Sequence, residues 1–441
     1  MKIKINNATV VTMDPENTIL RNADVLIEED RIVSIQEGNG RKEREKSLTP
    51  GGEDRTIAAS GMILMPGLIN CHSHVAMSLF RNYGNDVNLQ TWLEKYIFPL
   101  EAKLTAEEVR AGTRLNLMEM LLTGTTSFVD MYFFMEEVAK TVQEFGMRAL
   151  LTRGMSIGDE ETQLREMREL YEHWNGSAQD RIRVMIGPHA VYTNSIDFLK
   201  KQKELGDALG CGFHIHVSET EKENRECLAR YGKSPAELFD SLGMLDERSL
   251  LAHGVALSEK DMDLIARRGS TVVHNPSSNM KLASGVMPLE KMRQKGVRLA
   301  LGTDGASSNN RQDMFREMLL ASFLAKVTTG NPEHASARTI LRMATIDGAR
   351  ALGRESEIGS VEIGKKADLI LVDFQNAHHT PFPEDIEAAL VYSTSAEDVF
   401  MTMVDGRILA YDHHLTFADE EEIREGAQEQ WEILHSRGQT K

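Results

Sequence analysis

Eight short apolar runs, separated by longer segments with helical patterning, dominate the middle of this 441-residue chain. The separating segments include TAEEVRAGTRLNLMEMLL, SIDFLKKQKELGDAL and SEKDMDLIARR. Apolar runs that alternate with helices in this way are typical of parallel strands joined by crossover helices. Eight such units predict an α/β fold, a closed (β/α)8 barrel over residues 66–353. The runs are GLINCHSH, GTTSFVD, MRALLTRG, IRVMIGPH, CGFHIHVSE, SLLAHG, STVVHN and VRLALGTD.

The two ends of the chain have a different pattern. Residues 1–65 and 354–415 carry short alternating runs such as KIKINNATVVTMD and ADLILVDF, which predict β-strands. We expect the two ends to pair into one small β domain beside the barrel. Residues 416–441 are predicted to form a polar helix on the outside, and the charged stretch 41–55 a solvated loop.

Composition excludes several classes of function. A formal charge of −17, from 67 acidic and 50 basic residues, would repel a polyphosphate partner, so we expect no nucleic acid. The start of the chain lacks an apolar stretch of signal-peptide length, and no run of about 18 apolar residues follows, which favours a cytoplasmic protein without membrane contact. Three scattered cysteines are too few for a disulfide framework.

The ends of the predicted strands carry an unusual concentration of imidazoles and carboxylates. In barrels of this kind the catalytic groups lie at the carboxyl ends of the strands. Most of the eight runs end in or beside such a group, so the sequence predicts a functional site at this end of the barrel. The groups are His72 and His74 on the first strand, His189 on the fourth, His216 and Glu219 on the fifth, His253 on the sixth, His274 on the seventh and Asp304 on the eighth.

The pair His72 and His74 indicates a metal site. Residues two apart on an extended segment point to the same face, so both rings can bind one cation. A third histidine and Asp304, from strands across the barrel, would complete a coordination set with room for water. Nitrogen and oxygen ligands without thiolate suit zinc, and iron or manganese would also fit. Such a site activates water for hydrolysis.

Two further residues near the fifth strand have different predicted roles. Glu219 follows His216 by three positions, where it could reach a bound substrate without being a ligand itself. His214 lies one layer deeper in the barrel, and we expect a hydrogen-bonded structural residue there.

Several motifs at these strand ends resemble those of the amidohydrolase superfamily, in its mononuclear aminohydrolase branch. They are PGLINCHSH, HVSET, LAHG, HNPSSNMKLASG and TDGASSNN, and the resemblance covers nearly the whole chain. LQTWLEKYIFPLE, LLTRG and GPHAVYTNS are similar to the 5′-methylthioadenosine/S-adenosylhomocysteine deaminases of that branch. The resemblance implies a TIM barrel with a small β-sandwich built from both chain ends.

The resemblance also implies roles for individual residues. It implies one zinc ion per subunit, with His189 at the place where binuclear relatives have a bridging lysine. The implied zinc ligands are His72, His74, His216 and Asp304, and the implied nucleoside contacts are Glu101, Arg153, His189 and Glu219, with Trp92 nine positions before Glu101 and Arg165 as a second arginine for an amino-acid tail.

From the residues alone, three of these contacts have a plainer interpretation. Glu101 would be a carboxylate on a helix surface, Arg153 an ion-pair partner at a strand end, and Trp92 a packing aromatic. The resemblance favours the substrate-binding roles instead.

The expected reaction is zinc-dependent hydrolytic deamination of 5′-methylthioadenosine and S-adenosylhomocysteine, with adenosine as a further substrate. Asp304 would take a proton from water, Glu219 would protonate the purine ring, and His253 would hold the water. The alternatives are an s-triazine chlorohydrolase or aminohydrolase, a guanine-type free-base deaminase, and a non-catalytic scaffold. We expect a small-molecule nucleoside as ligand and a homo-oligomer.

Overall fold

A computed structural model describes residues 1–37 and 54–439 of the chain. Nearly all of the charged stretch 41–55 lies outside the described residues, as does the end of the chain after residue 439. The strands are β1 (Lys2–Val11), β2 (Ile19–Glu28), β3 (Arg31–Glu37), β4 (Asp54–Ala58), β5 (Met62–Pro66), β6 (Leu68–Ser73), β7 (Thr125–Tyr132), β8 (Arg148–Met155), β9 (Ile182–Pro188), β10 (His214–Val217), β11 (Leu250–His253), β12 (Thr271–His274), β13 (Arg298–Leu301), β14 (Leu369–Asp373), β15 (Val399–Val404), β16 (Arg407–Tyr411) and β17 (His414–Leu415).

The helices occupy most of the connections. The α-helices are α1 (Leu89–Thr91), α2 (Phe98–Glu101), α3 (Ala106–Leu122), α4 (Met135–Phe145), α5 (Glu160–Trp174), α6 (Ser177–Asp180), α7 (Ile196–Leu209), α8 (Glu221–Tyr231), α9 (Pro235–Ser241), α10 (Glu259–Arg268), α11 (Pro276–Lys281), α12 (Leu289–Gln294), α13 (Ala306–Asn309), α14 (Met314–Thr329), α15 (Ala337–Met343), α16 (Ile346–Ala351), α17 (Ile386–Tyr392) and α18 (Glu420–Gln439). A π-helical stretch, Trp92–Ile97, joins α1 to α2.

The two chain ends form one mixed sheet, as the alternating runs predicted. Its order is β17-β16-β15-β14-β5-β1-β2-β3, with β4 paired to β1. Strand β5 is central because it pairs antiparallel with β14 and parallel with β1. Alternate residues of β5 face opposite sides: Met62 and Leu64 belong to the core of this domain, whereas Ile63 and Met65 pack into the core of the barrel. One strand therefore supplies both cores.

The eight apolar runs form eight parallel strands, in two arcs of four. Strands β6–β9 make one arc and β10–β13 the other. Backbone hydrogen bonds join the arcs at both seams: His216 N donates to His189 O over 3.0 Å, and Asp304 N donates to His72 O over 2.9 Å. The arrangement is the predicted (β/α)8 barrel. The two hydrogen bonds that join the arcs lie at strand ends that carry imidazoles.

Side-chain caps fix where the crossover helices begin. Helix α7 begins after Ser195, whose hydroxyl accepts a hydrogen bond from Phe198 N over 3.0 Å, and it ends at Gly210 with a φ of 68°. Helix α10 begins with a capping box of Ser258 and Asp261. These residues satisfy backbone groups that the helix itself leaves unpaired. They also set the direction in which each helix returns to the barrel.

The C-terminal helix α18 packs on the outside of the barrel. Lys103 Nζ donates to the backbone oxygen of Arg437 over 2.5 Å, and the Arg437 side chain pairs with buried Glu108. Trp431 contacts Phe80 edge to face, with their ring centres 6.4 Å apart. Within residues 1–37 and 54–439, no helix has both the length and the apolar character needed to span a membrane.

Candidate active site

A cavity opens at the carboxyl end of the barrel strands, and both polar and apolar side chains line it. Such a mixed lining suits a small-molecule ligand. Strand-end residues such as His74, His189, His216 and Asp304 form its floor, and the Leu89–Glu101 segment forms much of its wall. The strand ends that the sequence singled out therefore converge on one site. His72 is buried beneath the cavity lining, against Asp304, whereas His274 is buried away from the lining.

Backbone carbonyls orient two of the imidazoles. The Nδ1 atom of His74 lies 2.5 Å from the backbone oxygen of Met131, and the Nδ1 atom of His216 lies 2.7 Å from that of His189. A carbonyl oxygen can only accept, so both Nδ1 atoms carry the proton. In the neutral imidazoles, both Nε2 atoms are then unprotonated, and they lie 3.3 Å apart at the floor of the cavity.

His72 and Asp304 bring the remaining donor atoms to the same point. Asp304 Oδ1 lies 3.3 Å from His72 Nε2 and 3.2 Å from His74 Nε2. His72 Nε2 is buried and makes no hydrogen bond, while its Nδ1 lies 2.9 Å from His214 Nε2. His214 thus supports His72 from below, in agreement with the structural role predicted for it.

This donor set fits a divalent cation. Imidazole nitrogens and a carboxylate oxygen that converge without thiolate are typical zinc ligands. The unpartnered, buried Nε2 of His72 points to an ion, since a buried imidazole nitrogen left without a partner is costly. His72, His74, His216 and Asp304 could hold the cation, and His253 lies within the same cluster of donor atoms.

Two of the strand-end residues have a strained backbone. Asp304 has a φ of 63° and His253 a φ of 76°, in the left-handed region that residues other than glycine rarely adopt. Such conformations persist only where surrounding contacts enforce them, and they cluster at functional sites. Both side chains line the cavity.

Glu219 and His253 lie side by side next to the donor cluster. Glu219 Oε2 is 3.9 Å from His253 Nε2, and Glu219 Oε1 is 3.3 Å from the hydroxyl of Ser284. Burial raises the pKa of Glu219 above its ordinary value, which favours a protonated carboxyl. His253 Nδ1 lies 2.9 Å from Asn279 Oδ1, an acceptor, so in the neutral ring Nδ1 carries the proton and Nε2 is unprotonated.

The predicted nucleoside contacts Glu101, Trp92 and His189 also line the cavity. Glu101 Oε1 accepts a hydrogen bond of 2.8 Å from the hydroxyl of Tyr132, and burial raises the pKa of Glu101 to about 7. The indole N–H of Trp92 is buried without a hydrogen-bond partner. Burial lowers the pKa of His189 to about 3, so this imidazole is neutral and its Nδ1 lies 3.0 Å from Thr193 Oγ1.

The side chains of the two predicted substrate arginines do not line the cavity. Arg153 turns toward α5, where its Nε donates to Glu166 over 2.9 Å, and its guanidinium carbon lies 5.3 Å from the centre of the Phe133 ring, which lines the cavity. Arg165 lies on the outer face of α5, with 61% of its side chain exposed, and pairs with Glu169. The ion pair of Arg153 is the role that the residues alone predicted.

Sequence reasoning missed the residues that hold this site in shape. Ser278 and Asn279 follow the seventh strand and contact Asp304 and His253, respectively, and both are buried. Asp130 accepts a hydrogen bond from the backbone nitrogen of Val75 over 2.7 Å, directly after the His-x-His motif. The polar run NPSSN at a strand end is the sequence pattern from which Ser278 and Asn279 could have been predicted.

Residues 63–409 match the model of the amidohydrolase family. The chain belongs to the amidohydrolase family. Among curated amidohydrolase relatives, the chain is 45% identical to a 5′-deoxyadenosine deaminase of Methanosarcina mazei, over 99% of each chain. It is 43% identical to a 5-methylthioadenosine/S-adenosylhomocysteine deaminase of Caldanaerobacter subterraneus subsp. tengcongensis, over 96% of each chain. The expectation of an amidohydrolase is confirmed.

Solved structures agree with the fold. A zinc-bound adenosine deaminase from Xanthomonas campestris superimposes with a TM-score of 0.92 and 32% identity, over 98% of each chain. An atrazine chlorohydrolase from Arthrobacter aurescens TC1 superimposes with a TM-score of 0.88 but is only 22% identical, over 97% of this chain and 100% of its own, so it supports the fold alone. The predicted barrel is confirmed, and a divalent metal is consistent with both the family and the donor set.

Proposed function

We propose that this amidohydrolase removes the 6-amino group of 5′-substituted adenosines by hydrolysis, with 5′-methylthioadenosine and S-adenosylhomocysteine as the substrates expected from the sequence. The observation that carries the proposal is the pairing of Glu219 with His253 beside the donor cluster, in a cavity whose wall holds the carboxylate of Glu101. The full-length relatives support it by their names, which are 5′-deoxyadenosine deaminase and 5-methylthioadenosine/S-adenosylhomocysteine deaminase.

The metal is proposed to be one zinc ion, held by His72, His74, His216 and Asp304. When bound, such a cation acts as a Lewis acid that makes water nucleophilic at neutral pH. The orientation of the imidazoles suits this role, because the Nδ1 atoms of His74 and His216 are engaged by carbonyls and their Nε2 atoms face the donor cluster. His189 in place of a lysine supports a single ion.

Glu219 is proposed as the proton donor to the substrate. A carboxyl with a raised pKa holds its proton near neutral pH and can deliver it to a purine ring nitrogen. Protonation at the ring nitrogen withdraws electrons from the carbon that bears the amino group. That carbon then becomes open to attack by water.

Asp304 and His253 are proposed to handle the attacking water. Asp304 takes the proton of the water at Oδ1 and later passes it to the leaving amino group, which departs as ammonia. His253 accepts a hydrogen bond from the water at Nε2, because its Nδ1 is engaged by Asn279. As the carbon–nitrogen bond breaks, the proton of the new hydroxyl group passes to Glu219, which restores its carboxyl. Water thus supplies the oxygen of the inosine-type product, and hydrogen, oxygen and nitrogen balance.

Glu101 and Trp92 are proposed to position the nucleoside. An ionised carboxylate binds vicinal hydroxyls well, and ribose offers such a pair. The Trp92 ring and its free N–H line the cavity close to the Glu101 segment. The neutral imidazole of His189 lies between this wall and the donor cluster, where it could contact the purine.

A panel assay tests the proposal. Ammonia release is measured for methylthioadenosine, adenosylhomocysteine, 5′-deoxyadenosine, adenosine, guanine and a chlorotriazine, with protein of known metal content. We expect turnover of the adenine nucleosides. A preference for guanine or the triazine would overturn the proposal in favour of the alternatives, which rest on fold likeness at 22% identity or less. Cytoplasmic location and homo-oligomer formation stay predictions.

A further inference from the structure

One oxygen of the Glu101 carboxylate is engaged by the protein itself. Glu101 Oε1 accepts the hydrogen bond of 2.8 Å from the hydroxyl of Tyr132, and both side chains line the cavity. Within residues 1–37 and 54–439, no hydrogen bond or ion pair reaches Oε2 of Glu101. Oε2 is therefore the oxygen of this carboxylate that a ligand in the cavity can use.

Tyr132 is held more firmly than Glu101. It ends strand β7, which pairs with β6 on one side and β8 on the other, and only 4% of the residue is exposed. Its ring centre lies 5.0 Å from that of Phe133 and 6.3 Å from that of His74. Glu101 is half-buried at the end of the four-residue helix α2. The phenol on the barrel strand therefore fixes the direction of the carboxylate.

The hydrogen bond also favours the charged form of the carboxylate. Burial raises the pKa of Glu101 to about 7, and the hydrogen bond from Tyr132 acts in the opposite direction. Burial, together with the charge of Glu101, raises the pKa of Tyr132 well above its ordinary value, so the phenol keeps its proton and donates it to Oε1. An ionised carboxylate oxygen has two lone pairs, so Oε2 can accept hydrogen bonds from two neighbouring hydroxyls.

We infer that Tyr132 is a positioning residue for the sugar: by engaging Oε1 of Glu101, it presents Oε2 to the vicinal hydroxyls of ribose and makes the enzyme select ribonucleosides over deoxyribonucleosides. This inference rests on the proposed function and deepens it. A deoxyribose lacks one of the two hydroxyls and leaves a desolvated carboxylate with an unpaired acceptor, which is costly.

The test compares kcat/KM for 5′-deoxyadenosine and 2′,5′-dideoxyadenosine, which differ by one hydroxyl, in protein of known metal content. We expect the wild type to favour 5′-deoxyadenosine by at least about tenfold. Tyr132→Phe removes the phenol hydroxyl alone, and we expect the preference to fall about tenfold, the size of one hydrogen bond to a charged group. KM for 5′-deoxyadenosine should rise while kcat and metal content are kept, because the sugar lies away from the reacting atoms.

Tyr171→Phe is the matched control. The hydroxyl of Tyr171 donates a comparable hydrogen bond of 2.9 Å to the backbone oxygen of Leu209, and Tyr171 does not line the cavity. The sugar preference of this variant should equal that of the wild type. A general effect of losing a tyrosine hydroxyl would instead appear in both variants, and equal preferences in the two would overturn the inference.

A double variant shows whether Tyr132 acts through Glu101. Adding Tyr132→Phe to Glu101→Gln should leave the sugar preference at the value of Glu101→Gln alone. A wild type without a preference, or a fall of the same size with and without Glu101, overturns the inference while the proposed function stands. A wild type that releases ammonia from no adenine nucleoside overturns both.

Discussion

The hydroxyl of Ser278 donates a hydrogen bond of 2.6 Å to Oδ2 of Asp304. Ser308 donates to the same oxygen over 2.8 Å, so Oδ2 is engaged twice while Oδ1 faces the Nε2 atoms of His72 and His74. The two serines therefore leave Oδ1 as the carboxylate oxygen that faces the imidazole nitrogens and would meet a bound cation. They also stabilise a residue whose backbone lies in the left-handed region.

Ser278→Ala should lower kcat about tenfold and leave the metal bound. The variant removes one of the two hydrogen bonds to Oδ2, and such bonds to a charged group are worth about 1.5 to 3 kcal/mol. Steady-state kinetics and metal analysis measure both effects. Ser277→Ala is the control, because Ser277 is also buried but its hydroxyl has no partner. Equal kcat in the two variants would rule out the positioning role.

Glu219→Gln should retain the metal and lose about 100-fold or more in turnover. The amide keeps the shape of the side chain but cannot deliver a proton to the purine, and general acid catalysis contributes about that factor. Glu221→Gln, an exposed neighbour in the first turn of α8, should behave like wild type. Unchanged turnover of the Glu219 variant, with its metal content confirmed, would remove this residue from the mechanism.

The metal should load at the barrel site alone. His216→Ala is expected to lose the stoichiometric ion, measured by elemental analysis after dialysis, because one of four donors is gone. His378→Ala serves as the control, since His378, His379 and Asp398 form a second group of possible ligands in the part of the chain that the structure describes. Asp398 already accepts hydrogen bonds from Asn376 and Ser395, which satisfies it without an ion. If the His378→Ala variant loses the ion and the His216→Ala variant keeps it, the ion binds at the second group and not in the barrel.

Glu101→Gln should raise KM for the nucleoside about tenfold with a smaller change in kcat. The variant removes the negative charge proposed to bind the ribose hydroxyls, and an interaction made equally in ground and transition states appears in KM. Glu94→Gln, on the same segment but exposed, is the control. A variant that loses kcat with KM unchanged would place Glu101 at the reacting atoms instead.

The positions of the strand ends could be predicted because they depend only on the number and order of the barrel strands. Eight apolar runs define eight strands, and the C-terminal residue of each strand must lie at one end of the barrel. The barrel fold alone therefore brings together the side chains of His72, His74, His216 and Asp304, and the loop conformations need not be known. The pairing of the two chain ends could also be predicted from the sequence, since both ends carry alternating runs of similar length.

The orientation of Arg153 and the support of Asp304 required the structure. Whether Arg153 faces the cavity depends on the register of β8, and a shift of one residue would reverse it. Its partner Glu166 lies on the following helix, and no local pattern links the two. Ser278 and Ser308 come from different loops, so only the tertiary fold shows that they share one oxygen of Asp304.

Glu223 gives the fold a pH dependence that a single substitution should remove. The carboxyl is buried, and its Oε2 accepts a hydrogen bond of 2.8 Å from the backbone nitrogen of Glu219. Burial raises the pKa of Glu223 to about 8, above the ordinary glutamate value of 4.5. A group with a raised pKa in the folded state contributes stability below its unfolded pKa and loses it as pH rises through its folded pKa.

Glu223→Gln should therefore gain stability relative to wild type as pH rises from about 4.5 to 8. The gain is at most about 1.4 kcal/mol per pH unit, because one proton is linked to folding over that range. Unfolding midpoints of both proteins, measured at matched metal saturation from pH 5 to 9, give the difference directly. A difference that stays constant across this range would mean that Glu223 is ionised in the folded protein, and that water or an unseen donor compensates its burial.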